Sequence, residues 1–497
     1  MATLSTFPTN TEDILATIKK RSFSGALSYF FRTIILQVIA LVAMVILSAE
    51  FSARDFGIFG IVTQITGILI FFSDVGLAAA LIQQKKEPSV RDLRTAFTVQ
   101  QLLSWLIVLA AVAFATTGWF RETTSEVGVW IMYAFALSFP LATLKTIPSI
   151  LLERQLQLSK VVIPQIFEQF FYYGILIVMA VQGYGAIAFA YAIVARSVVG
   201  VLVMFYIQRW PFGLALNSNS LKTLFGFGVK FQLNDLFARI KDQLFFIVIA
   251  RFMTVDQFGY IQWAKQWSMQ PYNLTVQNVM SVTFPAFSRL QEHKQQLTRA
   301  IEKTLFFISI VIFPLLAGMS IFILPLISIF PVYDKWLPAV ASLVFFNLSI
   351  GWSALSTPLT NTLNAVGKVG KTLKLMLLWT GLTWTVSPVA VYFLGYNGVA
   401  IAAFIIGITS LLPMIYVKKI VPIRVFDQVW RQLAATAVMS AVGIFGMEIW
   451  GSSLTLFLIG VIMSGALYAL TLFILGKQKL LFELRSLPIK IPLLRYD

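Results

Sequence analysis

Long apolar stretches follow one another along almost the whole chain. Most are about 20 residues or more, enough to cross a hydrocarbon core about 30 Å thick as a helix. Charged residues make up 12% of the sequence, against about a quarter in a soluble domain. Because backbone in lipid must satisfy its own hydrogen bonds, stretches of this length are helices. The sequence therefore predicts an all-α integral membrane protein.

Hydropathy places about fourteen membrane-spanning helices. They lie near residues 24–48, 57–82, 94–117, 128–150, 161–182, 184–207, 224–250, 259–285, 302–329, 338–366, 372–394, 397–417, 431–450 and 454–476. Spans thirteen and fourteen carry few polar residues apart from Glu448, so we expect them to be peripheral and to face lipid.

The distribution of Lys and Arg predicts the orientation in the membrane. Most of the 38 basic residues fall on the side of the two termini, which is cytoplasmic by the positive-inside rule. The opposite side receives only Arg54, Arg121, Arg251 and Lys335. The net charge of +17 is therefore a topology signal, and it argues against a nucleic-acid partner.

A weak internal repeat divides the chain into halves. Phe56-Gly57 opens span two directly after a short loop, and Phe258-Gly259 opens span eight in the same way. Six spans per half predict two pseudo-symmetric six-helix lobes related in parallel. The predicted domains are a cytoplasmic segment 1–23, an N-lobe 24–222, a C-lobe 223–430, helices thirteen and fourteen at 431–476, and a cytoplasmic tail 477–497.

Seven basic residues lie inside predicted spans. A charge at bilayer depth costs roughly 3 kcal/mol, so such residues face protein or water. Their sign predicts a wet cavity for an anionic cargo. They are Arg32, Lys145, Arg196, Lys230, Arg239, Lys241 and Lys265.

Polar side chains recur at helical spacing in span eight. Gln262, Gln266, Gln270, Asn273 and Gln277 would share one face, with Lys265 at its edge. That many amides exceed one interhelical seam, so we interpret the face as a water-lined wall. Nearby aromatic residues, Tyr260, Trp263 and Trp267, are either packing residues or platforms for sugar rings.

Span seven carries two polar faces. Asp235, Arg239 and Asp242 are predicted to form a structural triad, whereas Lys230, Asn234 and Lys241 are assigned to the cavity. In span ten the hydroxyl and amide groups are equally consistent with cavity lining and with interhelical hydrogen bonds. They belong to Ser353, Thr357, Thr360 and Asn364.

Two acids inside spans, Asp74 and Glu168, are candidates either for ion or proton coupling or for a salt bridge to a cavity base. The chain has no cysteine and one histidine, which argues against thiol catalysis and against a metal site. No cofactor is expected, and the energy source would be a proton gradient, a sodium gradient or the membrane potential.

Several strings resemble a known family of bacterial polysaccharide exporters. They are Asp55-Phe56-Gly57, Asp74-Val75-Gly76-Leu77, Ala80-Leu81-Ile82-Gln83, Phe284-Pro285-Ala286-Phe287-Ser288-Arg289-Leu290-Gln291, Lys335-Trp336-Leu337-Pro338-Ala339 and Asn364-Ala365-Val366-Gly367-Lys368. On these strings the chain resembles the Wzx-type flippases of the multidrug/oligosaccharidyl-lipid/polysaccharide (MOP) superfamily, in the branch of colanic acid and teichuronic acid exporters. Related sequences often carry an Arg shortly after the glycine that opens span eight, where this chain has Trp263 and then Lys265.

The resemblance implies a transporter and not an enzyme. Its cargo would be an undecaprenyl-pyrophosphate-linked oligosaccharide, turned from the inner to the outer leaflet of the bacterial cytoplasmic membrane by alternating access. Its partners would be the lipid-linked glycan, the bilayer, and a polysaccharide polymerase with other assembly proteins. The alternatives are an organic-cation antiporter of the same superfamily, a lipid II flippase and a membrane-embedded polymerase.

Overall fold

A computed structural model describes residues 32–74, 77–83, 87–218 and 240–485 of the chain. Within these ranges every regular element is a helix, and ten helical segments are long and apolar enough to span a membrane. Many large apolar side chains are exposed, as lipid-facing residues would be: Leu109 is 66% exposed and Phe445 is 90% exposed. The predicted all-α membrane fold is confirmed.

The described residues fall into two compact units, divided between Gly259 and Tyr260. The assignment of helices to six-helix lobes stays a prediction. The helices up to Gly259 are α1 (Arg32–Glu50), α2 (Ala53–Asp74), α3 (Leu77–Gln83), α4 (Val90–Ala115), α5 (Gly118–Arg154), α6 (Leu158–Val181), α7 (Ile187–Ile207) and α8 (Phe245–Ile249), with a π turn at Ile240–Leu244 before α8.

The chain enters the second unit within α9. The helices of this part are α9 (Val255–Tyr272), α10 (Asn278–Arg289), α11 (Lys294–Ile329), α12 (Val340–Ala365), α13 (Val369–Leu394), α14 (Gly398–Ile408), α15 (Leu411–Lys418), α16 (Val425–Phe445), α17 (Met447–Trp450) and α18 (Leu454–Arg485). One hydrophobic core of this unit joins α11 to α12, where Leu305, Ile312 and Leu363 are fully buried. Such faces hold neighbouring helices together by close packing.

The two repeated junctions begin their helices in the same way. Before α2, the Ser52 N–H donates to Asp55 Oδ2 at 2.9 Å, and the Asp55 N–H donates to Ser52 Oγ at 3.2 Å. Before α9, the Thr254 N–H donates to Gln257 Oε1 at 3.0 Å, and the Gln257 N–H donates to Thr254 Oγ1 at 3.3 Å. These reciprocal pairs cap helix N-termini that would otherwise leave donors unpaired.

The first turns of the helices that follow these caps, α2 and α9, meet at the repeated glycines. A Cβ placed on Gly57 would overlap the backbone carbonyl of Val255, and one placed on Gly259 would overlap that of Ala53. Ala53 precedes Gly57 by as many residues as Val255 precedes Gly259, so the contact is reciprocal. Only glycine allows backbones to approach this closely. The Phe-Gly repeat therefore marks a reciprocal close contact between two helix starts.

Candidate functional site

Three charged residues predicted inside the membrane come together in α5, α6 and α7. Glu168 on α6 accepts a hydrogen bond from Lys145 Nζ on α5. Arg196 Nε on α7 lies 3.7 Å from the other carboxylate oxygen of Glu168. One carboxylate thus bridges two cations from two further helices. We call Lys145, Glu168 and Arg196 the charge cluster.

Burial differs across the charge cluster. The side chain of Glu168 is 9% exposed and that of Lys145 is 21% exposed, whereas that of Arg196 is 47% exposed. A buried carboxylate without a partner is strongly destabilising, so Glu168 depends on its two bases. With all three groups ionised, the cluster keeps one positive charge, and Arg196 is its most accessible member.

A glycine and a tyrosine pack around the side chains of the charge cluster. Gly200 lies one turn after Arg196, and a Cβ at this position would overlap the Glu168 carboxylate. Tyr172 lies one turn after Glu168 and is buried, with the Arg196 guanidinium carbon 5.8 Å from its ring centroid. This arrangement is a weak cation–π contact. Gly200 therefore makes room for the carboxylate, and the Tyr172 ring lies beside the Arg196 guanidinium.

The sequence left two roles open for Glu168, ion or proton coupling and a salt bridge to a cavity base, and the structure contains the salt bridge. Coupling to an ion or a proton stays a prediction. Asp74 ends α2, and its side chain lies outside the described residues.

The amide-rich face of α9 is partly buried. Gln262 is buried, Gln266, Gln270 and Asn273 are half-buried like Lys265, and Gln277 is exposed. The spacing assumed for Gln277 does not hold, because Asn273–Gln277 form a π turn, which takes more residues per turn than an α-helix. The amides from Gln262 to Gln270 do share one face of a continuous α-helix.

The opposite face of α9 packs on α12. Ser268 Oγ donates to the Leu343 carbonyl at 3.4 Å, and the hydroxyls of Tyr272 and Thr357 are 2.8 Å apart. Thr357 is therefore engaged in an interhelical hydrogen bond. Ser353 and Thr360 bond to carbonyls of their own helix. In span ten, Thr357 thus forms an interhelical hydrogen bond. On α9, the residues that bond to α12 and the amides lie on different faces, so the amides are on the side away from α12.

Trp263 is a packing residue. It is 2% exposed, and its ring stacks on Trp336 with centroids 4.7 Å apart and planes 6° from parallel. Trp267 meets it edge-on at 6.3 Å, and Tyr260 contacts Trp336 edge-on at 6.4 Å. Of the two roles open to these aromatics, Trp263 has the structural one, since its faces are not available for a sugar ring.

Other predicted site residues lie outside the described part of the chain. This applies to Lys230, Asn234, Asp235 and Arg239, and to the side chain of Lys241, whose backbone lies in the π turn before α8. Two further predicted residues have described side chains: Arg32, a predicted cavity base, is half-buried at the start of α1, and Asp242, from the predicted triad, is exposed. Among the described side chains, no three His, Asp or Glu residues are grouped as a metal site would require.

The model of a protein family described as "Polysaccharide biosynthesis protein" matches residues 30–341, well over half of the chain. The chain belongs to this family. The matched region includes α2 to α10 and therefore both the charge cluster and the amide-rich face of α9.

Two curated proteins are similar over much of their length. A membrane protein of the cps region of Klebsiella pneumoniae is 23% identical over 495 residues, covering 95% of this chain and 98% of that protein. The teichuronic acid biosynthesis protein TuaB of Bacillus subtilis is 24% identical over 331 residues, covering 66% of this chain and 67% of that protein. The resemblance drawn from the sequence strings is confirmed at the level of the family.

Solved structures of membrane transporters have a similar fold. The lipid II flippase MurJ in an inward closed conformation matches 92% of this chain and 100% of its own, with a TM-score of 0.68 and 14% identity. An inward-facing multidrug resistance MATE transporter of the MOP superfamily matches 77% of this chain and 95% of its own, with a TM-score of 0.55 and 14% identity. These likenesses show that this family member has the fold of a MOP transporter.

Sequence reasoning missed several polar and packing residues of this family member. Tyr172 and Gly200 each lie four residues after a member of the charge cluster, a spacing that could have suggested their contact. In α16, Gln428 is 6% exposed and Gln432 is fully buried, although the last spans were expected to be almost apolar. The four-residue spacing of these glutamines was the available signal.

Proposed function

We propose that the protein is a transporter that moves an undecaprenyl-pyrophosphate-linked oligosaccharide from the inner to the outer leaflet of the bacterial cytoplasmic membrane. Its termini would lie in the cytoplasm, and its product would pass to a polymerase and other assembly proteins. Membership of the polysaccharide biosynthesis family and the MurJ-like fold support this proposal. They favour transport over a reaction catalysed by the protein itself.

The charge cluster is the observation that carries the proposal. A pyrophosphate brings about two negative charges, and charge-assisted hydrogen bonds to Lys or Arg are roughly twice as strong as neutral ones. Arg196 is the accessible base of a cluster with one excess positive charge. A pyrophosphate would compete with Glu168 for Arg196, while Lys145 would keep the buried carboxylate paired. The cluster would thus accept an anion and release it again.

The other parts of the cargo have matching chemistry in the chain. The amide face of α9 would offer hydrogen bonds to sugar hydroxyls, because an amide both donates and accepts. The polyprenyl tail would stay in lipid, which keeps its apolar surface out of water. The sugar would pass along the amide face, which avoids the cost of moving its hydroxyl groups into lipid. We propose that a proton gradient, a sodium gradient or the membrane potential drives the cycle, with no bound cofactor.

The test compares ligands on the purified protein by thermal unfolding. We expect an undecaprenyl-pyrophosphate-linked glycan to raise the melting temperature, and a hydrophobic organic cation to leave it unchanged. The matched variant is Lys145→Met/Glu168→Gln/Arg196→Met, which removes all three charges together. Replacing a complete buried ion network is often neutral for stability, so this variant should remain folded.

The comparison separates the proposal from its rivals. Loss of the glycan effect in the triple variant would support both the cargo and its site. Stabilisation by the cation alone would overturn the proposal in favour of an antiporter. If the glycan raised the melting temperature of the wild-type protein and of the triple variant equally, the charge cluster would not be the binding site.

A further inference from the structure

A second group of basic residues lies where α16 meets α18, apart from the charge cluster. The Arg431 Nε–H donates to the Leu475 carbonyl at 3.2 Å, and its Nη1 donates to the Asp427 carbonyl at 3.0 Å. Lys479 Nζ donates to the same Asp427 carbonyl at 3.2 Å and also to Gln428 Oε1. Two cations therefore converge on one backbone oxygen.

The shape of α18 brings these groups together. The helix leaves the α conformation at Gly476 (φ −140°, ψ 20°). A Cβ on Gly476 would lie 3.0 Å from Arg431 Cδ, so the arginine stem rests on the glycine backbone. Beyond this bend, Lys479 reaches back to α16. The bend thus holds two like charges close together, where they repel each other.

Hydrogen-bond donors outnumber acceptors at this place. A guanidinium has five N–H groups and an ammonium three, so both keep donors beyond the bonds described above. Gln432 follows Gln428 by one helical turn, is fully buried, and neither its Oε1 nor its Nε2 has a hydrogen-bond partner within the described part of the chain. A buried unsatisfied amide costs about 1–3 kcal/mol, which an external partner would recover.

Acidic groups lie near the two cations without contacting them, since Glu483, Glu302 and Asp427 act on Lys479 electrostatically. The Arg431 guanidinium lies over the ring of Trp430, and Lys479 Nζ lies over that of Phe306. Over the described ranges, no carboxylate oxygen lies within 4.0 Å of Arg431 or Lys479. Glu302 on α11 bonds instead to the Arg424 N–H at 2.8 Å. The N–H groups left over on Arg431 and Lys479 therefore suit an acceptor that takes several hydrogen bonds at once, which is the chemistry of a phosphate group.

From these contacts we infer that Arg431, Lys479, Gln428 and Gln432 form a binding site for the phosphate headgroup of an anionic membrane lipid. The site lies at the membrane end that the Lys and Arg distribution predicts to be cytoplasmic, where anionic headgroups attract basic side chains. Exposed aromatic side chains flank it, since Phe426 is 72% and Phe482 is 70% exposed. Exposed apolar rings beside the basic groups suit contact with a lipid better than with a soluble anion.

The experiment measures lipid binding to the purified full-length protein by native mass spectrometry and by thermal shift. The probes are phosphatidylglycerol, phosphatidylcholine and inorganic phosphate. The test variant is Arg431→Met/Lys479→Met. Its charge-matched control is Lys418→Met/Lys419→Met, which removes two other exposed bases of the second unit. We expect phosphatidylglycerol to bind the test variant about tenfold more weakly than the control.

Gln432→Leu gives an independent readout if the double variant fails to fold. Removing the unsatisfied amide should raise the melting temperature in phosphatidylcholine and reduce the further rise produced by phosphatidylglycerol. Equal losses in the Arg431/Lys479 and Lys418/Lys419 variants would overturn the site in favour of general surface charge. If inorganic phosphate raised the melting temperature as much as phosphatidylglycerol does, the ligand would be a free anion and the lipid proposal would be wrong. A Gln432→Leu protein with an unchanged lipid response would overturn the role of the buried amide.

Discussion

Glu168 is the residue on which the charge cluster depends, because it pairs with two bases at once. Glu168→Gln would keep the shape of the side chain and leave Lys145 and Arg196 facing each other unpaired. We expect the free energy of unfolding to fall by about 2–4 kcal/mol, less than for a fully buried pair because Arg196 is half exposed. Thermal unfolding in detergent measures this. Glu126→Gln, in the exposed pair with Arg121 at 3.9 Å, is the control and should change little; equal effects of the two substitutions would contradict the account.

Gly200 tests the fit of the same cluster without changing a charge. Gly200→Ala would place a methyl group onto the Glu168 carboxylate and push it from its bases. We expect a loss of about 1–3 kcal/mol in unfolding free energy together with weaker transport. On α6, Gly174→Ala has no heavy atom within 4 Å of the added methyl group and should be neutral. A Gly200→Ala protein with normal stability and transport would show that the packing is looser than described.

At the scale of the element, the contact between the first turns of α2 and α9 should be sensitive to a single methyl group. Gly259→Ala would drive a methyl group into the Ala53 carbonyl, and a rigid backbone cannot yield as a side chain can. We expect a loss of about 2 kcal/mol or more in the free energy of unfolding. Gly381→Ala on α13 meets nothing within 4 Å and is the matched control. If both variants unfold at the wild-type temperature, the glycine contact is not tight.

The two faces of α9 should separate transport from stability. Gln266→Leu/Gln270→Leu removes amides that are half-buried on the face away from α12, so we expect slower transport with little loss of stability. Ser268→Ala removes the hydrogen bond to Leu343 on the opposite face and should cost about 0.5–1 kcal/mol of stability while transport continues. The opposite pattern, with transport lost only in Ser268→Ala, would contradict the assignment of the faces.

The elements differ in how far the sequence determines them. The Phe-Gly repeat predicted equivalent helix starts, and the caps at Ser52 and Thr254 match because capping is local. The π turn at Asn273–Gln277 was not predictable, because it depends on how neighbouring helices pack. The membership of Lys145, Glu168 and Arg196 in one cluster also needed the structure, because hydropathy gives each charge a depth in the membrane and no partner.

For the molecule as a whole, hydropathy and the Lys and Arg distribution were enough to predict an all-α membrane protein. The family followed from short strings such as Phe284-Pro285-Ala286. The buried Gln432 in α16 was overlooked, because one amide hardly changes the mean hydropathy of a long apolar span. Single polar residues in such spans are therefore visible only through their spacing and their neighbours.

The central claim is that the whole protein moves an anionic lipid-linked glycan by means of the charge cluster. The direct measurement is translocation of an undecaprenyl-pyrophosphate-linked glycan in proteoliposomes, followed by exposure of the glycan to a membrane-impermeant glycosidase. The wild-type protein and the control Arg91→Met/Arg121→Met should transport equally, whereas Lys145→Met/Glu168→Gln/Arg196→Met should be folded and at least about tenfold slower. Translocation by the triple variant at the wild-type rate would contradict the account.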